Sequence, residues 1–191
     1  MTEIRVSDHT DAELIAPHAE RAIAFVRGRF PVPSRPLSDP TSVFRDGSVI
    51  EMSFNVMPGR GVTETLHCKE YRAWSGYVEA DFDRTYKSEM RNSPSHLIFL
   101  TAEAHAQKLA YIAIAESFER PYVPSEPEYF KIWWTSAHCN VPEMIRDEQD
   151  LMQVLWVTEF VQTGPKAYSL EVYSRICGSM ELWGRASVFR T

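Results

Sequence analysis

The sequence predicts an α+β protein in which an antiparallel sheet wraps around one long central helix. Three observations carry that expectation. Residues 93–119, SPSHLIFLTAEAHAQKLAYIAIAESFE, read as a helix that is apolar nearly all the way round, and such a helix has to be surrounded. The segments on either side of it alternate with a period of two, as half-buried strands do. The chain has 191 residues, enough to build one sizeable core of this kind.

The elements follow in order. Residues 11–29 form an amphipathic pattern, with Leu14, Ile15, Ala19, Ala22, Ile23 and Val26 at helical spacing. FPVPSRPLSDP at 30–40 holds four prolines and reads as a linker or an extended lap across the surface. We therefore divide the chain into an N-terminal helix and Pro-rich extension at 1–45 and a main domain at 46–191. In the main domain, residues 48–57 and 63–71 suit a hairpin about PGRG at 58–61, and 74–83 a third strand. The helix start is marked by Ser93 as N-cap and Pro94 at the first helical position. RPYVP at 120–124 stops it. Strands are expected at 129–137, 151–163, 167–176 and 179–190, with TGPK and CGS as turn signals. Met180, Leu182, Gly184, Ala186 and Val188 share one face of the last strand. Strands, one apolar helix, then a run of antiparallel strands is the order of the hotdog fold. A ligand-carrying barrel with a lid helix is its rival. One curled sheet covers a helix on one side only, so a homodimer is expected.

Composition narrows the partners. A net charge of -6 argues against nucleic acid, whose phosphates want a basic face. Nothing approaches the roughly 20 apolar residues of a membrane span. The first residues are polar and acidic, so no secretory leader is expected. The three cysteines, Cys68, Cys139 and Cys177, are odd in number and widely spaced, which suits reduced thiols in a cytoplasmic protein. His67-Cys68 and His138-Cys139 form repeated dipeptides. Neighbours on a strand point to opposite faces, so neither a metal site nor a Cys–His nucleophile is expected. No cofactor motif is present.

On the helix, at about 100° per residue, Glu103 and Gln107 each fall about 20° from His96, and Tyr111 continues the stripe. His105 lies on the opposite side and reads as a core or interface histidine. A buried carboxylate beside a histidine suits acid–base work. The N–H groups at the helix start suit a developing oxyanion, such as a thioester carbonyl under attack. The bland alternatives remain open: Glu103 and Gln107 bonding across a dimer seam, His96 as a cap neighbour, Tyr111 as packing. Trp134 is a candidate for lining an acyl tunnel. Asn140, in CNVPEMI at 139–145, lies in a loop expected near the substrate entrance.

Ser95-His96-Leu97-Ile98 and Gln107-Lys108-Leu109-Ala110-Tyr111 resemble the central helix of the FcoT-like long-chain acyl-CoA thioesterases, a hotdog family. That family has a small residue, then His-Phe-Asn, then an apolar helix containing Asn-Gln-Leu-Ala-Tyr. Relatives act on carrier-protein-bound enoyl chains. The likeness is close over about 20 residues. It implies a functional tyrosine shortly before the histidine, which falls on Tyr86. The family's Asn after His-Phe falls on Ile98, so an amide there is lost.

These readings lead to an enzyme acting on an acyl chain held as a thioester of CoA or an acyl carrier protein. Tyr86 and His96 would orient the carbonyl, and Glu103 would be the general base. Gln107, Trp134 and Asn140 would contact the substrate. Hydrolysis is the first expectation. The alternatives are dehydration, isomerisation or cyclisation by conjugate addition on a polyketide or fatty acyl thioester, and non-catalytic binding of a hydrophobic ligand.

Overall fold

The computed structural model describes residues 11–91 and 94–191, with side chains from residue 19 onward apart from those of Val56 and Met57. In order it has α1 (Asp11–Val26), β1 (Ser42–Phe44), β2 (Val49–Met57), β3 (Arg60–Trp74), β4 (Tyr77–Ser88), α2 (Phe99–Ser117), β5 (Phe130–Asn140), β6 (Leu151–Gln162), β7 (Ala167–Ile176) and β8 (Met180–Arg190). The strands form one antiparallel sheet in the order β1-β3-β4-β6-β7-β8-β5. β2 pairs with the first half of β3, and β1 with its last residues.

That order explains where the helix lies. β4 and β5 are consecutive strands, yet β6, β7 and β8 lie between them. The connection must cross the width of the sheet, and α2 makes that crossing. Its small residues Ala102, Ala106, Ala110 and Ala113 let it settle closely onto the sheet. Leu66, Phe82, Leu155, Leu170, Val172 and Val188 pack with them in one core. Burying a side chain such as Leu109 stabilises the fold by about 1.5–3 kcal/mol. A curled antiparallel sheet with a helix packed against it is the expected arrangement and fits the hotdog fold. The alternation read in the last strand holds: Met180, Leu182, Ala186 and Val188 are all buried.

Several boundaries move. Trp74 ends β3 instead of opening the next strand, because Ser75-Gly76 makes the turn, with Gly76 at φ 76°. β4 consequently runs on to Ser88 and includes Tyr86. The helix begins at Phe99, with Ile98 as N-cap and no side-chain cap bond. Pro94 and His96 therefore precede it, and the Ser93 cap expected from sequence lies outside the described residues. The 19-residue helix is shorter than the one foreseen. The β7–β8 turn places Cys177 at φ 47° and Gly178 at φ 73°, two left-handed residues as a type I′ turn requires.

The N-terminal segment lies on the outer, convex face of the sheet, away from α2. Phe25 and Phe30 pack with Tyr173 and Trp183, the Phe30 and Tyr173 rings stacking at 5.5 Å. The proline-rich stretch laps onward. The indole N–H of Trp156 donates to Ser34 O at 3.1 Å and that of Trp74 to Ser38 O at 2.9 Å. Arg35 pairs with Glu79, whose carboxyl is held down at about 2 by Arg35, Tyr77 and Arg72 despite its burial. β1 then joins the sheet edge.

Candidate functional site

The first cluster lies where β3 and β4 meet the lead-in to α2. Glu64 and Arg84 are both buried and form an ion pair at 3.0 Å. The other Glu64 oxygen accepts the Ile98 N–H at 2.9 Å, so a remote carboxylate serves the helix start in place of a local cap. Arg84 also donates to Ser95 Oγ at 2.7 Å and to the carbonyls of Arg146 and Asp147 at 3.0 and 2.7 Å. One guanidinium thus ties β4, the helix lead-in and the 145–148 loop together. The Ile98 amide is already taken. An oxyanion site at the helix start is therefore narrower than the sequence suggested.

Tyr86 and His96 meet here, with ring centroids 6.0 Å apart. Nδ1 of His96 is 2.9 Å from Pro94 O. A carbonyl only accepts, so Nδ1 carries the proton and Nε2 is left as a base or acceptor. His96 is not on the helix, so the foreseen helical stripe begins at Glu103.

Glu103 stands in the second turn of α2, facing β5. It is half-buried beside Trp134, Ala137 and Gly184, in a crevice of about 10 Å³. Burial alone raises its carboxyl above the usual range. It has no hydrogen-bond or ion-pair partner among the described residues. Cys139 is close enough that burial and the Glu103 carboxylate push its thiol up to about 11, which makes a thiolate nucleophile there unfavourable. Trp134, the candidate tunnel residue, lies against the Glu103 crevice. Asn140 does not: it turns to the other face of β5, 3.5 Å from Glu181.

Further along the α2–β5 groove, Gln107 Nε2 donates to Ile132 O at 3.2 Å, and the Tyr111 hydroxyl accepts the Tyr129 N–H at 2.8 Å. Beyond them opens a pocket of about 340 Å³, lined among others by Lys108, Tyr122 and Phe130. His105 points the opposite way, fully buried against Tyr71 and Phe82. Its Nε2 lies 3.6 Å from Cys68 Sγ, and burial pulls its pKa down to about 4. Glu64, Arg84 and Lys108 were missed by sequence reasoning. Alternating Glu64 and Leu66 on a strand reads as one face, and only the partner Arg84 reveals a buried charge.

The sequence matches no known protein-family model and no curated protein. Among solved structures the chain is similar to AziG of S. sahachiroi, at 12% identity over 66% of this chain and 92% of that one, with a TM-score of 0.40. It is similar to a thioesterase from Haemophilus influenzae at 11% identity, 61% and 74% coverage and a TM-score of 0.38. The PaaI protein from the phenylacetic acid degradation operon of E. coli gives 9% identity, 61% and 74% coverage and a TM-score of 0.37. Likeness of this degree assigns no reaction to the chain.

Proposed function

We propose that this protein is a thioesterase-like enzyme acting on an acyl chain bound as a thioester of CoA or an acyl carrier protein, as the FcoT-like resemblance implies. The observation that carries the reading is Glu103: a half-buried carboxylate without a partner among the described residues, its pKa raised by burial, in a crevice lined by Trp134, Ala137 and Gly184. Such a group is costly to keep unless it is used. In this reading Glu103 is the general base. Tyr86 and the Nε2 of His96 orient the thioester carbonyl at the start of α2. The acyl chain runs along α2 and β5 past Trp134 and Gln107.

Release of free thiol from a panel of acyl thioesters tests the reading. General-base contributions run to about 10²–10⁴-fold, so Glu103→Gln loses most of the turnover while melting within a few degrees of wild type. A variant that keeps its rate and unfolds early makes Glu103 a structural residue.

A second reading, conjugate addition, dehydration or ring closure on an unsaturated acyl chain, is favoured by Ile98. It occupies the N-cap with no side-chain hydrogen bond, so position 98 offers no side-chain amide to hold a water for hydrolysis. Product analysis by mass, without thiol release, supports it.

We also read the protein as a homodimer. β5 is an open sheet edge carrying Trp133 at 65% exposure, a surface that invites pairing. Sedimentation at micromolar concentration is expected to give twice the 22.0 kDa of the chain. A single monomeric species rejects it. No helix among the described residues is long and apolar enough to cross a membrane.

A further inference from the structure

The pocket of about 340 Å³ between α2, β5 and the loop at 121–129 has an inner wall of hydrogen-bond donors. The Lys108 ammonium is held by Asp46 at 2.5 Å and lies 5.0 and 5.3 Å from the ring centres of Tyr71 and Tyr122. It has N–H bonds to spare. The Tyr111 hydroxyl accepts the Tyr129 amide and keeps its own proton for donation. The Tyr122 hydroxyl has no hydrogen-bond partner among the described residues. Burial, with the carboxylates of Asp46 and Glu128 adding to it, keeps that proton on. The rim carries Glu126 and Glu128, both exposed. Because Asp46 already matches the charge of Lys108, the opening as a whole repels anions.

We propose that this pocket receives the distal part of an acyl chain bearing a neutral oxygen, a ketone or a hydroxyl, in preference to a plain alkyl or carboxylate-ended chain. The proposal rests on the reading of the protein as an acyl-thioester enzyme centred on Glu103. A plain alkyl chain would strip water from the ammonium and the phenols and return no hydrogen bond. A carboxylate would meet Glu126 and Glu128. Lys108 and Tyr111 follow Glu103 on α2, and a rise of about 1.5 Å per residue sets them roughly 8 and 12 Å beyond it. The recognised oxygen lies that far from the reacting carbonyl.

The test is calorimetric binding of non-hydrolysable acyl amides of equal length, ending in alkyl, ketone, hydroxyl or carboxylate, to the wild-type protein and to Tyr122→Phe. Ketone and hydroxyl chains are expected to bind about 3- to 10-fold tighter than alkyl, the worth of one ordinary hydrogen bond. Tyr122→Phe, checked for an unchanged melting temperature, shrinks that preference and leaves alkyl affinity as it was. Equal affinity for all four chains, or a preference untouched by Tyr122→Phe, overturns the proposal. Thioester turnover, run in parallel, separates the two claims. If no thioester reacts while the ranking of amides holds, the enzymatic reading fails and the pocket stands as a binding site for oxygenated chains.

Discussion

Two positions separate Glu103 from His105 on α2, and about 200° of helical rotation sends one to the groove and the other into the core. Both are pushed toward their neutral forms by burial. If Glu103 is the base, as proposed, the acid limb of the pH–rate profile is expected above the ordinary Glu range, and Glu103→Gln is expected to remove that limb along with the rate. For His105 it is a matter of stability. Its folded pKa of about 4 lies below an unfolded value of about 6.5, so between those pH values the unfolded chain binds more protons. The stability is complete above about 6.5 and declines as pH falls towards 4, by on the order of 3 kcal/mol. Melting curves from pH 7 to pH 4 should show this decline, and His105→Leu should flatten it. An unchanged slope in the variant would move the acid sensitivity to the carboxylates.

At the scale of elements, strand alternation and an apolar helix packed against the sheet were legible because both depend on local period. The start of α2 was not. Ser93-Pro94 carries the local signs of a helix start, yet the groups that set the boundary come from afar. Glu64 on β3 takes the Ile98 amide, and Leu97 N–H donates to Ile145 O at 2.9 Å. The pairing of Tyr86 with His96 came only from the family resemblance, not from helical spacing, since the two residues lie on β4 and in the lead-in to α2. The groove between α2 and β5 depends on Gly184. A Cβ there would stand 2.8 Å from the Trp134 ring and 3.1 Å from the Ser136 carbonyl. The ring can swing, but the backbone cannot. Gly184→Ala is expected to destabilise by about 1–3 kcal/mol and to shift Trp134 towards Glu103, read as an altered fluorescence maximum and weaker acyl binding. Wild-type melting and binding in that variant would show that the crevice is slack.

Over the whole molecule, the sheet carries two separate apolar faces. The inner one holds α2. The outer one is covered by the N-terminal segment, whose proline-rich part reads in the sequence as a linker or an extended lap across the surface. Its place on the convex face follows from the outward aromatics Trp156, Tyr173 and Trp183, which need a cover that the helix cannot supply. Phe25, only 2% exposed, anchors that cover. Phe25→Ala would cost about 3–5 kcal/mol in a rigid core. Here the strap can lift off as a unit, so global stability should fall by less than that range. Proteolysis at 27–41 should rise at the same time. A full core-sized loss without new cleavage would mean that strap and sheet unfold together.

The strap also has a place in time. Ser34 waits for Trp156, and Phe25 and Phe30 wait for Tyr173 and Trp183, strands made from the far end of the chain. Contacts so distant in sequence form slowly, because a long loop must close before they repay it. The strap, made before the strands it needs, is thus the last to find its seat. Until then the outer aromatic face is bare, and a nascent or refolding chain is sticky on the side opposite its ligand groove.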